Sequence, residues 1–175
     1  LIANNIGSTG TLTICAAGGG VGAGTLTGPI AFGNGVGNLV FNHNTVGYNF
    51  ASALSGGNSN AVVAFRGGTT TLSGNSSSYT GNALANGGTG TLSGNFGAGG
   101  GTLTIGDTLA GTINVSGGTT TFDVLNIGVG ALGALNINST MNSGGVNTAG
   151  TATGSAVIAV GAGGNWTSND ISLGG

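Results

Sequence analysis

Apolar residues fall at alternate positions in short runs along this chain. Thr11-Leu12-Thr13-Ile14, Thr102-Leu103-Thr104-Ile105, Thr112-Ile113-Asn114-Val115, Leu125-Asn126-Ile127 and Leu135-Asn136-Ile137 each set apolar side chains two apart, with Thr or Asn between them. A period of two sends one set of side chains to a core and the other to water, so each run predicts a half-buried β-strand of about four to six residues. No window keeps apolar residues at the three-and-four spacing of an amphipathic helix. Gly, Asn, Thr and Ser are also weak helix formers, so no helix is expected.

Gly-Gly, Asn-Gly and Ser-Gly pairs separate the runs, as they do where a chain turns a corner. The rhythm recurs: Thr71-Leu72-Ser73-Gly74-Asn75 returns as Thr91-Leu92-Ser93-Gly94-Asn95, and Gly67-Gly68-Thr69-Thr70-Thr71-Leu72 returns as Gly117-Gly118-Thr119-Thr120-Thr121-Phe122. Leu92, Leu103, Ile113 and Phe122 come about ten apart. Self-similarity near twenty residues, built from short strands and glycine corners, marks a solenoid, because one coil cannot bury its apolar face alone and stacking makes the core continuous. The expected architecture is all-β, a parallel β-helix (β-solenoid) with coils of about 20 residues. Residues 1–175 form a single solenoid segment, or an excerpt of a longer repetitive chain. Sandwiches and barrels fit less well, since their hairpins usually carry charged edges, and an outer-membrane barrel wants aromatic girdles that Trp166, Tyr48 and Tyr79 cannot supply. Residues 30–66 gather Phe32, Phe41, Tyr48, Phe50 and Phe65 beside the sole His and the sole Arg, and read as a wider coil or a cap.

Composition narrows the function classes. Gly supplies 42 residues and Pro only 1, which excludes a collagen triple helix and assigns the glycines to turns. Only 2% of residues are charged, namely Arg66, Asp107, Asp123 and Asp170, so Asn, Ser and Thr must wet the surface. Mean hydropathy is positive and net charge is -2, which argues against disorder. One arginine cannot neutralise a phosphate backbone or an anionic lipid surface, so neither nucleic acid nor membrane lipid is an expected partner. The most apolar run, Ser155 to Ala162, is far shorter than the ~18 residues of a membrane-spanning helix, and none is expected. Cys15 stands alone, so no internal disulfide or cysteine metal cluster can form, and it reads as a small buried hydrophobe. The opening Leu1-Ile2-Ala3-Asn4-Asn5 lacks the basic start of a secretory signal and suggests a processed product or an excerpt.

Residues 67–82, Gly-Gly-Thr-Thr-Thr-Leu-Ser-Gly-Asn-Ser-Ser-Ser-Tyr-Thr-Gly-Asn, resemble the passenger-associated β-strand repeat of bacterial autotransporter adhesins, with Leu72, Gly74, Asn75, Tyr79, Thr80 and Gly81 matching that pattern. Weaker echoes lie at 90–96, 101–106, 117–128 and 164–175, the last with Asn165-Trp166-Thr167. After Gly81 the run Asn82-Ala83-Leu84-Ala85-Asn86 departs from the usual Thr and Val. The resemblance implies a right-handed parallel β-helix, exported across an outer membrane and displayed on the bacterial cell surface.

The candidate chemistry is sparse. Asp107 and Asp123 are the one conceivable carboxylate pair for glycan cleavage, but each sits beside a strand where a turn or cap explains it. His43, in Asn42-His43-Asn44-Thr45, has no glycine elbow or serine beside it to make a nucleophilic site. No Asp recurs at the fixed spacing of a calcium-binding β-roll; neither a metal nor a cofactor is expected, and the chain is read as no enzyme. His43, Tyr48, Arg66 and Tyr79 are the residue types that suit glycan or protein contact, and are the candidate binding residues. The pairs Thr11/Thr13, Thr25/Thr27, Thr69/Thr71, Thr89/Thr91, Thr102/Thr104, Thr119/Thr121 and Thr151/Thr153 would form flat ladders if coils stacked them in register, the alternative being ice or surface binding. The abundant Asn residues are read as turn formers and stacked corner ladders. The leading expectation is an extracellular stalk, adhesin segment or fibre subunit, whose partners are more coils of its own kind, end to end or in a longer chain, and a host or neighbouring-cell surface glycan or protein.

Overall fold

The computed structural model describes residues 1–15, 22–149 and 153–173. Strands and corners alone make up the described chain. The early coils carry β1 (Thr9–Ile14), β2 (Ile30–Phe32), β3 (Val36–Asn42), β4 (Tyr48–Phe50), β5 (Leu54–Gly56), β6 (Val62–Gly67), β7 (Thr69–Leu72), β8 (Ser78–Tyr79) and β9 (Asn82–Ala85). The later coils carry β10 (Thr89–Leu92), β11 (Thr102–Ile105), β12 (Gly111–Val115), β13 (Thr119–Phe122), β14 (Val124–Ile127), β15 (Leu132–Ile137), β16 (Thr140–Ala149), β17 (Ser155–Val160) and β18 (Asn165–Leu173).

Every pairing is parallel and joins successive coils, so the chain is a β-solenoid of about six turns with three walls. β1, β3, β6, β9, β11 and β14 stack in the first wall, and β4, β7, β10, β12, β15 and β17 in the second. The third holds β2, β5, β8 and β13, linked through isolated bridges at Ser76, Phe96 and Thr120. β16 spans a corner, its first half pairing with β13 and its second with β14, and β18 lies along it.

Alternation in the sequence becomes inside and outside. In β11, Thr102 and Thr104 face out while Leu103 and Ile105 are fully buried. Translation from coil to coil turns such positions into columns: Leu39, Val63, Ala83, Leu103 and Leu125 in the first wall, and Phe50, Leu72, Leu92, Val115 and Ile137 in the second. Each fully buried aliphatic or aromatic side chain contributes about 1.5–3 kcal/mol, so stacked columns hold the coils together without charge or disulfide. Along the third wall Phe32, Tyr79, Phe96 and Phe122 follow one another with ring centroids 5.2, 5.4 and 5.8 Å apart.

The coil length departs from the expected twenty. Val63, Ala83 and Leu103 are spaced by twenty residues, but Leu39 precedes Val63 by 24 and Leu12 precedes Leu39 by 27, and the mean spacing is near 23. Between β3 and β6 the register holds from Asn38 to Phe41 and shifts by one past Phe41, where Arg66 is the extra residue. Residues 30–66 form neither a cap nor a distinct unit; they are coils whose aromatics face inward, with Phe41 stacked on Phe65 at 5.6 Å and edge-on to Phe50 at 5.2 Å. Cys15, expected in a core, is half-buried, its thiol donating to the Gly22 carbonyl at 3.1 Å. Among the described residues no helix is long and apolar enough to cross a membrane.

Candidate functional site

The four candidate binding residues do not converge. Tyr79 lies wholly inside the third wall between Phe32 and Phe96, its hydroxyl donating to the carbonyls of Asn82 at 2.7 Å and Ala61 at 3.2 Å. Burial pushes its phenol far above the usual tyrosine value. The ring fits because Gly81 has no side chain; a Cβ there would run into the hydroxyl. Tyr79 therefore offers no surface to a ligand.

His43 and Tyr48 do meet, at the corner between the first and second walls, with ring centroids 5.3 Å apart and nearly perpendicular. His43 is only 2% exposed. Its Nε2 lies 2.8 Å from Thr70 Oγ1, and burial lowers its pKa, with the Thr45 backbone opposing in smaller measure. Tyr48 is half-buried, its hydroxyl donating to the Gly24 carbonyl at 3.0 Å. Arg66 ends the outward side of β6 and is exposed. Of the four, Arg66 alone stands fully in solvent.

Asp107 and Asp123 are also kept apart. Asp107 follows β11 and Asp123 precedes β14, so the parallel pairing of these strands sets them at opposite ends of the first wall. Asp107 borders an open groove of about 370 Å³ with Asn82, Leu84, Thr102 and Thr104. Among the described residues no three of His, Cys, Asp and Glu come together.

What stacking does assemble is an outward polar array on the second wall. Thr69 stands below Thr89 and Thr112, while Thr71 stands below Thr91, Asn114 and Asn136. Along the second column Asn136 Nδ2 donates to Asn114 Oδ1 at 2.8 Å, and Asn114 Nδ2 to Thr91 Oγ1 at 3.3 Å. The twenty-residue echo points to the Thr71 and Thr91 step; the longer steps to 114 and 136 have no echo to reveal them. Thr119 and Thr121 stack under Thr140 and Asn142, and those under Asn165 and Thr167, whereas the first-wall pairs meet no threonine in the strands they pair with. Thr102 and Thr104 stack between Asn82 and Val124 and between Leu84 and Asn126; Thr11 and Thr13 lie under Asn38 and Val40; Thr151 is outside the described residues.

The end coils uncover the core. In β17, Ile158 continues the inward column of Leu135 and Val160 that of Ile137, yet Val160 is 51% exposed and Ile158 only half-buried. Trp166, inward above Met141, is half-buried and donates Nε1–H to Ser143 Oγ at 3.0 Å. At the other end Leu12, Leu26, Pro29 and Ile30 line an open apolar groove of about 420 Å³.

No family model, curated protein or solved structure matches the chain.

Proposed function

We propose that this chain is a structural or adhesive β-solenoid, a stalk, adhesin passenger segment or fibre subunit displayed on a bacterial outer surface, and that it has no catalytic role. One observation carries the reading. Apolar columns run from coil to coil in register, Leu39, Val63, Ala83, Leu103 and Leu125 in one wall and Phe50, Leu72, Leu92, Val115 and Ile137 in the next, with every step made by parallel pairing. Columns of that kind can be carried on by another coil of the same kind, from the same chain or a second copy. Parallel stacking satisfies backbone groups along the axis and adds about 4.8 Å of reach per coil, which is what a spacer requires. The autotransporter-like repeat at 67–82 favours export, and the outer walls are left to meet a glycan or protein of a neighbouring cell.

Sedimentation across a concentration series, with negative-stain imaging, tests it. Rods that lengthen with concentration, and that shorten when Val160→Lys and Ile158→Lys are introduced, are the expected result. A monodisperse particle at every concentration would count decisively against it. Protease treatment of intact cells bearing the protein tests surface display.

The three-coil register of Thr69, Thr89 and Thr112 beside Thr71 and Thr91 favours a second reading, binding to ice or another crystalline surface. It predicts thermal hysteresis that falls with Thr89→Tyr and Thr91→Tyr but not with Thr102→Tyr. Absence of hysteresis ends this reading and leaves the first intact.

A further inference from the structure

His43 is nearly sealed from solvent, and so is the Thr70 hydroxyl it meets through Nε2 at 2.8 Å. Its other ring nitrogen, Nδ1, is buried without a hydrogen bond. Gly68, at φ +66°, presses so close that a Cβ there would strike Nδ1, so backbone closes that side of the ring. The remaining face rests on Tyr48.

This corner also holds the preceding coil. Tyr48 donates its hydroxyl to the Gly24 carbonyl at 3.0 Å, and the Ala23 N–H donates to Thr45 Oγ1 at 2.9 Å. On the other side the Thr69 N–H donates to the Thr45 carbonyl at 3.1 Å. Residues 22–24 are thus tied to the body of the solenoid through the segment His43 anchors.

We propose that His43 is an acid-sensitive latch, closed when its imidazole is neutral, that fastens residues 22–24 of the first coil to the rest of the stack. The groups facing it from the packed elements are uncharged: Tyr48 from β4, Thr70 from β7, and the Gly67–Gly68 backbone. Arg66, at the end of β6, points to solvent, and a second positive charge there could only oppose protonation. Asp107, Asp123 and Asp170 belong to later coils, so an imidazolium at this corner meets no carboxylate. Protonation would put a second N–H on a buried nitrogen that makes no hydrogen bond, and the Thr45 backbone offsets only the smaller part of that cost, which the open corner escapes by meeting water.

The sign follows from linkage. Burial depresses the folded-state pKa of His43, so the open form binds the proton more readily below the ordinary imidazole value of about 6.5. The latch is at full strength above that pH, weakens as pH falls from it, and loses no more below the folded-state pKa.

Amide hydrogen exchange, corrected for intrinsic rates, tests this at pH 7.5 and 5.0 alongside NMR titration of the imidazole, the only one in the chain. Protection at Ala23 and residues 44–50 falls about tenfold for each unit separating the two pKa values, while β9 to β12 keep theirs. The imidazole titrates below 6.5, and His43→Gln removes the pH effect. Should that variant fail to fold, coincidence of the wild-type imidazole titration with the loss of protection serves in its place. An imidazole titrating at 6.5 or above, protection indifferent to pH, or equal loss throughout the stack each overturns the proposal.

Discussion

Replacing Gly90 by alanine probes the stacking register directly. Gly90 holds the inward position of β10, paired with Thr70 below and Ile113 above. A Cβ there would lie 2.7 Å from Phe65 Cε2 and 2.8 Å from Phe65 Cζ and Ile113 Cδ1. Both side chains are fully buried, and the Phe65 ring is stacked on Phe41, so neither can retreat cheaply. Overpacking of this kind costs about 1–3 kcal/mol. Removing glycine's freedom from the unfolded chain returns about 0.4–1 kcal/mol, so the midpoints of the two ranges leave a net loss of about 1.3 kcal/mol. In a Phe65→Leu background the alanine has room, and a coupling of about 1 kcal/mol or more is expected between the two sites. Gly24→Ala is the control: nothing lies within 4 Å of its Cβ, so it is neutral or slightly stabilising. Urea unfolding followed by far-UV circular dichroism measures all four proteins. Exchange of the β10 amides supplements it, because stacked coils need not unfold as one. Gly90→Ala as stable as the parent would refute the register, since a slip of one residue would turn this position outward.

Four further substitutions test other parts of the stack. Thr120 Oγ1 is buried without a partner between Phe96 and Met141, so Thr120→Val raises the unfolding free energy by about 1 kcal/mol, and a loss of stability would mean the hydroxyl is bonded after all. Asn86 Oδ1 accepts from the amides of Thr108 at 3.1 Å and Leu109 at 2.6 Å, so Asn86→Ala costs about 2–4 kcal/mol and releases the Leu109 amide to exchange; an unchanged Leu109 would rule that staple out. Thr91→Asp with Asn114→Asp places carboxylates on adjacent coils, and at pH 7 the double variant loses about 1 kcal/mol more than the two singles together, an excess that vanishes at pH 3; strict additivity at pH 7 would place these columns apart.

Strands were legible because inside and outside alternate within a few residues. Coil boundaries were not. Gly, Asn and Ser recur at the corners whatever their length, so corner length leaves no mark, and only the step from Leu72 to Leu92 could be read as one coil stacked on another. The likeness of 67–72 to 117–122 is local: one segment builds β7 in the second wall and the other β13 in the third. The ten-residue spacing of Leu92, Leu103, Ile113 and Phe122 is the step between inward positions on different walls, and all four are buried. The candidate site failed for a related reason. Residue type marks Tyr79 as a contact residue, but its fate is set by Gly81 beside it, which leaves room for the ring and its hydroxyl in the core.

The scarcity of charge follows from the same translation. An outward residue has its counterparts about 4.8 Å away in the coils above and below, so a charged column would set like charges at that distance along the whole wall. Each such neighbour costs about 1 kcal/mol in water and several times more at a half-buried position. Thr and Asn avoid the penalty and reverse its sign, because Asn136 donates to Asn114 and Asn114 to Thr91 along one column. Three of the four charges sit at the margins of this lattice, Arg66 at the end of β6 with neutral Asn86 in the coil above, Asp107 past β11 and Asp123 in the corner before β14, and the fourth, Asp170 within β18, pairs with neutral Val146. A sequence with almost no charge is therefore what stacking selects when outward columns are half-buried and run the length of the molecule. The same rule makes each coil an acceptable neighbour for the next, with no repulsion to stop the series.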